Sequence, residues 1–306
     1  MYYLVYGLLY LVSLLPGFLL YRIADFGYFI IYYVIGYRKE VVAANLAIAF
    51  PEKMEAERKR IAKQFYKNFI DTFVETIEML SMTEKRFRKK CTFDFSASNA
   101  IAAKGLNIHF VGGHQMNWEY ATWGAVMGFH YPLMAVYSPI GNRLVNRIFL
   151  KLRSKYHLIL VAGTDFKNQT SAAFQQQYAI GMIGDQTPSN PAVAYWLNFF
   201  GRPSAFLTGP DKGMITRNPA VIFVTVEKKK RGHYHLADQV ITEQGASLQP
   251  GEFTNIYRDM LEDVLKKDPA CYLWSHRRWK YEYKAAYESL WIDRENPPPQ
   301  AEITND

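Results

Sequence analysis

Cysteine is nearly absent from this 306-residue chain: Cys91 and Cys271 are the only two, they lie far apart, and neither belongs to a CxxC pair. That scarcity argues against a disulfide framework and a thiolate metal site, and implies reduced thiols and a cytosolic face. There is no GxSxG elbow, the strained turn that presents a nucleophilic serine in α/β hydrolases. Internal repeats and low-complexity linkers are also missing, so a single catalytic domain with a terminal extension is expected. Negative charge is in short supply, with 28 Asp and Glu against 36 Lys and Arg and a formal charge of +8. The excess favours an acidic partner, whether nucleic acid, an anionic membrane or an acidic carrier protein, without choosing among them.

Charge is wholly absent from Tyr2 to Tyr21. A run of roughly 20 apolar residues is long enough to cross a bilayer as a helix. No basic stretch precedes the run and no small-residue cleavage site closes it, so a removable signal peptide fits poorly. Ser13, Pro16 and Gly17 interrupt it, and a second aromatic-rich run follows from Phe26 to Tyr37. A kinked or interfacial anchor therefore stands beside a clean span, with a buried core helix as the third reading. The tyrosines suit the boundary between headgroups and acyl chains. Residues 1–40 are expected to form this hydrophobic membrane anchor. Arg22, Arg38 and Lys39 would hold the rest of the chain on the cytoplasmic side of an inner membrane.

The remainder has regular patterning. Ile61, Phe65, Phe69, Phe73, Ile77 and Leu80 recur at spacings of four and three, which predicts a long amphipathic helix with that stripe in the core and Asp71 and Glu78 off it. Short β-prone runs at Leu106 to Val111, Tyr131 to Tyr137, His157 to Val161, Ala179 to Ile183, Ala220 to Val226 and Tyr272 to Trp274 alternate with helical patterns around Leu144 to Arg153, Gly209 to Thr216 and Phe253 to Lys267. The alternation predicts an α/β fold, a mostly parallel central sheet flanked by helices, with ligands near the carboxyl ends of the strands. Residues 41–293 are assigned to this domain and 294–306 to a loose polar tail.

The most informative segment follows the run ending at Val111: Gly112-Gly113-His114-Gln115-Met116-Asn117-Trp118-Glu119. It predicts a strand, a glycine turn and then a helix capped by Asn117, with Glu119 in its first turn. His114 and Glu119 are thereby a candidate base and its orienting acid. His109, His114 and Glu119 also form an evenly spaced series, but HExxH is missing and the turn spoils a helical ligand face, so no metal is expected.

Together with Gly184-Asp185-Gln186, Phe199-Phe200-Gly201-Arg202-Pro203-Ser204-Ala205 with Thr208, and Tyr272-Leu273-Trp274-Ser275-His276-Arg277-Arg278-Trp279-Lys280, this segment resembles the late acyltransferases of lipid A biosynthesis, within the lysophospholipid acyltransferase superfamily. The resemblance runs from the N-terminal anchor through Lys280. It implies that His114 and Glu119 are catalytic and that the acyl group arrives on acyl carrier protein or coenzyme A as co-substrate, with no other cofactor. It would also account for the basic surface, since acyl carrier protein and anionic lipid are acidic partners; nucleic acid is not expected. Relatives often carry Tyr-Arg-Pro where this chain has Tyr137-Ser138-Pro139, which puts headgroup recognition in question.

Transfer of an acyl group from a thioester to a hydroxyl needs a base for the hydroxyl proton, and histidine titrates near working pH. A carboxylate on the other ring nitrogen fixes the tautomer. Candidate substrate contacts are Asn117, Trp118, Asn142, Arg143, Arg147, Arg153, Asp185, Gln186 and Thr208. Arg143, Arg147, Lys151 and Lys155 make one basic stripe, either a solvated face or a contact for phosphate or carrier protein. Asp185 and Gln186 suit a substrate contact or a strand-end turn, and Thr208 suits a helix cap. The run Lys228 to Arg231 is expected to be a solvated turn, and the His276 to Lys280 cluster an interfacial basic-aromatic patch. A lipase-like hydrolase using the same pair, and a membrane-surface binding protein without turnover, are the alternatives to acyl transfer.

Overall fold

The computed structural model describes residues 1–298; residues 299–306, which include most of the expected polar tail, lie outside the described residues. The N-terminal part is helical: α1 (Tyr2–Ser13), α2 (Gly17–Phe29) continuing into a π-helical turn (Ile30–Ile35), α3 (Lys39–Ala49), α4 (Glu55–Glu78) and α5 (Glu84–Lys90). Strands and helices then alternate through β1 (Cys91–Asp94), α6 (Ser96–Ala103), β2 (Ile108–Gly112), α7 (Trp118–Gly128), β3 (Leu133–Tyr137), α8 (Arg143–Arg153), β4 (Ile159–Ala162), α9 (Phe166–Thr170) and β5 (Ala179–Ile183). A hairpin, β6 (Tyr195–Phe199) and β7 (Arg202–Phe206), precedes α10 (Gly209–Arg217), β8 (Ala220–Lys230), β9 (His233–Thr242) and α11 (Glu252–Lys267).

The fold is mixed α/β, as the alternating pattern predicts. Seven strands form one sheet in the order β1-β9-β8-β2-β5-β3-β4, parallel except where β8 and β9 run antiparallel. On β2, Ile108, His109, Phe110 and Val111 are all buried. A central parallel strand covered on both faces reads as a continuous apolar run rather than an alternating one. Its neighbours on either side are β5 and β8, with Gly112 in register with Ile183 of β5.

Several expectations need correction. The Tyr272 to Trp274 run is not a strand: Tyr272 makes one isolated bridge, to Gln115, because its aromatic rings fill the core rather than alternate across a sheet. The predicted helix of Phe65 and Phe69 is α4, but its buried face turns away from the stripe in the second half. Phe73 is 42% exposed, whereas Asp71, Thr72, Glu75 and Glu78 are buried. Each of these carboxylates meets a partner from elsewhere: Arg231 and Lys228 for Asp71, and Arg86 and Lys90 for Glu78. The Lys228 to Arg231 run is accordingly an ion-paired end of the β8–β9 hairpin, not a solvated turn. The N-terminal apolar stretch breaks at Pro16, and the helix long and apolar enough to cross a membrane by length and composition is Gly17–Ile35, later than the Tyr2 to Tyr21 run.

Candidate active site

His114 lies two residues beyond Gly112 and Asp185 two residues beyond Ile183, the last paired positions of two neighbouring parallel strands. The register therefore brings them together. Asp185 holds His114 twice: Oδ1 is 2.7 Å from the ring Nδ1, and Oδ2 accepts from the His114 backbone N–H at 2.9 Å. An ionised carboxylate can only accept, so Nδ1 carries the proton and Nε2 is left as the basic nitrogen. The Gln186 side-chain nitrogen stands 3.5 Å from that Nε2, and the Trp118 ring packs edge-on against the imidazole. Asp185 is 1% exposed at its side chain and His114 19%.

Burial pulls the His114 pKa down, but the Asp185 charge and hydrogen bond, helped by the Glu119 charge and opposed by Arg153, carry it above its ordinary value. Burial pushes Asp185 up, and the His114 charge, its hydrogen bonds and the Arg278 charge more than reverse this, leaving it below the ordinary carboxylate range. Each direction favours the charged form of its group, so the carboxylate stabilises an imidazolium when the ring takes up a proton.

The loop between His114 and α7 is tightly specified. Gly113 has no room for a Cβ, which would stand 2.7 Å from the Leu261 side chain. The positive φ falls not on a glycine but on Met116, at 44°. Its N–H donates to the Cys271 carbonyl at 2.7 Å, and its carbonyl accepts from the Thr72 hydroxyl at 3.4 Å. Asn117 caps α7 as expected, its Oδ1 accepting from the Tyr120 N–H at 3.0 Å.

Glu119 is not the carboxylate on the His114 ring. Its position in the first turn of α7 aims it at α8, where Arg153 donates Nε to Oε2 at 2.9 Å and Nη2 to Oε1 at 2.5 Å. Spacing along the chain suggested a pair that the helix geometry separates, and the strand neighbour supplied the acid instead. Arg153, taken as a substrate contact, is thus occupied by Glu119. Asn117 is fully buried as a cap, and Asn142 caps α8, accepting from Leu144 and Val145 N–H groups. Arg147 and Lys151 lie over the Tyr2 and Tyr6 rings of α1, at 4.1 and 4.2 Å. Arg143 is exposed at the start of α8. Thr208 sits at the start of α10, yet its side chain makes no cap hydrogen bond. Of the predicted contacts, only Trp118, Asp185 and Gln186 surround His114. His109 instead turns its Nε2 to the Tyr178 hydroxyl at 3.1 Å, and among the described residues no group of three or more His, Cys, Asp or Glu side chains is arranged to hold a metal.

A narrow cleft between α4 and the segment 270–273 reaches His114, lined by Phe65, Asn68, Phe69, Thr72, Trp118 and Tyr272. A second narrow cleft lies beside Gly184 and is walled by Val111, Met182, Phe206, Phe253 and Tyr257. A histidine-carboxylate pair at strand ends, with the histidine on the wall of a largely apolar cleft, suits chemistry on a lipid chain. The model of the bacterial lipid A biosynthesis acyltransferase family matches residues 1–281. The chain belongs to that family. Two curated relatives agree: the lipid A biosynthesis palmitoleoyltransferase of Escherichia coli (strain K12) and the lipid A biosynthesis acyltransferase of Shigella flexneri, each 23% identical over 248 residues that cover 79% of both chains. The protein is an acyltransferase.

This lipid A family member carries further site residues that the motif pattern did not assign. His276 accepts the Thr187 N–H on its Nε2 at 2.9 Å, fixing the loop after Gln186, and burial together with the Arg278 charge lowers its pKa to about 4. Asn45 of α3 donates to the carbonyls of Trp274 and His276 at 2.8 and 2.7 Å and holds that segment. The expected interfacial patch at His276 to Lys280 is therefore partly interior, with Arg278 1% exposed and stacked on Phe206. A basic-aromatic run in sequence does not distinguish a surface patch from a buried arginine resting on rings.

Proposed function

We propose that this acyltransferase moves a fatty acyl chain from a carrier thioester, on acyl carrier protein or coenzyme A, to a hydroxyl of a lipid A precursor or related glycolipid, by direct general-base catalysis. The observation that carries the reading is the His114–Asp185 pair, whose free Nε2 belongs to a residue on the wall of an apolar cleft. The acceptor hydroxyl gives its proton to Nε2 as its oxygen attacks the thioester carbonyl. The tetrahedral intermediate collapses, the C–S bond breaks, and the imidazolium returns the proton to the departing thiolate, giving an ester and a thiol. Asp185 is the positioning residue that stabilises the imidazolium. The Gln186 amide nitrogen, 3.5 Å from Nε2, is a candidate donor for the developing oxyanion. Arg153 and Glu119 form an ion pair near the site whose two charges act on His114 in opposite senses.

Membrane association belongs to the same proposal. The outer faces of α1 and α2 expose Leu4, Leu8, Leu11, Phe18 and Phe26, and a lipid acceptor is met at such a surface. The test is purified protein with acyl carrier protein thioester and lipid A precursor in mixed micelles. An acylated lipid is expected, with His114→Ala losing most of the activity while its circular dichroism is retained. Free fatty acid formed without need of the acceptor would replace transfer with hydrolysis.

A further inference from the structure

The positive φ at Met116 is a backbone strain that persists only when its surroundings over-determine it. The hydrogen bonds to Cys271 and Thr72 hold Met116 itself. The next residue, Asn117, is held from below by a group outside every motif: Glu75 of α4, 1% exposed. Its Oε2 accepts from Asn117 Nδ2 at 2.8 Å and from the Tyr234 hydroxyl of β9 at 2.8 Å, and its Oε1 accepts from the Tyr21 hydroxyl of α2 at 2.9 Å. The Asn117 side chain is thereby used at both ends, capping α7 with its oxygen and binding Glu75 with its nitrogen. Tyr21 is closely seated as well. A Cβ on Gly232 would stand 1.9 Å from its hydroxyl.

We propose that Glu75 is a positioning residue that fixes the His114–Asn117 loop, and that Tyr21 makes this positioning depend on the seating of the apolar helix α2. The inference rests on the acyl-transfer reading for its kinetic arm only. A buried carboxylate satisfied by three donors from three elements is a stiff anchor, whereas one deprived of donors costs its desolvation unrelieved. Burial raises the Glu75 pKa and the three donors oppose the rise, so loss of any donor weakens the anchor. A loop displaced by a fraction of an ångström leaves the base out of line without emptying the cleft.

The experiment uses the full chain. Glu75→Met, which removes every acceptor while keeping volume, should lower kcat about 100-fold with KM for the thioester unchanged. Glu75→Gln, which keeps an oxygen for Asn117 and Tyr234, should restore most of that loss. Tyr21→Phe should cost about fivefold, the worth of one hydrogen bond, and should not multiply with Glu75→Gln. Hydrogen exchange at the Met116 and Tyr120 amides should rise in Glu75→Met and Tyr21→Phe, with the β2 and β5 amides unchanged. Wild-type kcat in Glu75→Met, losses that track the melting temperature with no rescue by glutamine, or fully multiplying effects would each overturn the proposal. If Glu75→Met does not fold, Tyr21→Phe decides. If wild-type protein transfers no acyl group, the functional reading fails, and the exchange pattern alone supports or overturns the anchor.

Discussion

Asp185 contacts both the backbone and the ring of His114, while Glu119 is bound on both oxygens by Arg153. The two carboxylates therefore predict different kinetic signatures. Asp185→Asn removes the anion that fixes the tautomer and should lower kcat by about 10³- to 10⁴-fold. The pH profile gives a second reading with a definite sign. In the proposed mechanism the base works as neutral imidazole, so the raised His114 pKa should place the acid limb of kcat/KM above the ordinary histidine range. Because Asp185 supplies the leading upward contributions, Asp185→Asn should move that limb to lower pH, whereas Glu119→Gln should move it less. Near-normal turnover in Asp185→Asn, with a collapse in Glu119→Gln at unchanged melting temperature, would return the orienting role to Glu119. The loop, the cap and the histidine were legible in the sequence because glycine, asparagine and a helix start are local signals. The acid was not, since Asp185 meets His114 only through the alignment of two strands that are distant along the chain.

Helices α7 and α8 are joined by the Glu119–Arg153 pair, with Glu119 2% and Arg153 18% exposed at their side chains. Removing one member of a buried pair strands the other charge, at about 3 kcal/mol. Glu119→Leu alone should therefore lower the melting temperature by roughly 5 °C, read by differential scanning calorimetry. The double variant Glu119→Leu, Arg153→Met leaves no stranded charge and should be more stable than Glu119→Leu. Additive losses would show that the two side chains are not coupled. The elements themselves were readable where periodicity was strong: α8, α10 and α11 fall where the helical patterns place them, and β5 is bounded as expected. The face of α4 was not readable. Asp71, Glu75 and Glu78 look like solvated positions until β9, α2 and α5 arrive with their donors, and a pattern of apolar spacing carries no trace of partners that remote. The β6–β7 hairpin was likewise missed: both residues of its turn, Phe200 and Gly201, take positive φ, 52° and 68°, and the first carries a phenylalanine where such a turn usually has asparagine, aspartate or glycine.

At the scale of the whole molecule, the exposed apolar rows of α1 and α2 adjoin the cations of α8 through Arg147 on Tyr2 and Lys151 on Tyr6. Two forces would hold this face to an anionic bilayer, and their sizes differ. Each basic side chain near such a surface contributes about 1 kcal/mol and is screened by salt. A fully buried leucine or phenylalanine contributes about 1.5–3 kcal/mol and is not screened. With Leu4 77%, Phe18 69% and Phe26 66% exposed, the apolar contribution should dominate. Co-sedimentation with vesicles of phosphatidylglycerol and phosphatidylethanolamine should therefore show binding that weakens only in part at high salt. Arg147→Glu with Lys151→Glu should remove the salt-sensitive part, and Leu4→Ser with Phe18→Ser should remove more of the binding at every salt concentration. The serine variants also leave Tyr21 and Glu75 in place, so in detergent-dispersed substrate they should turn over at the wild-type rate and fall behind only when the acceptor is presented in a bilayer. Equal loss in both formats would mean that this face supports the fold rather than the membrane encounter.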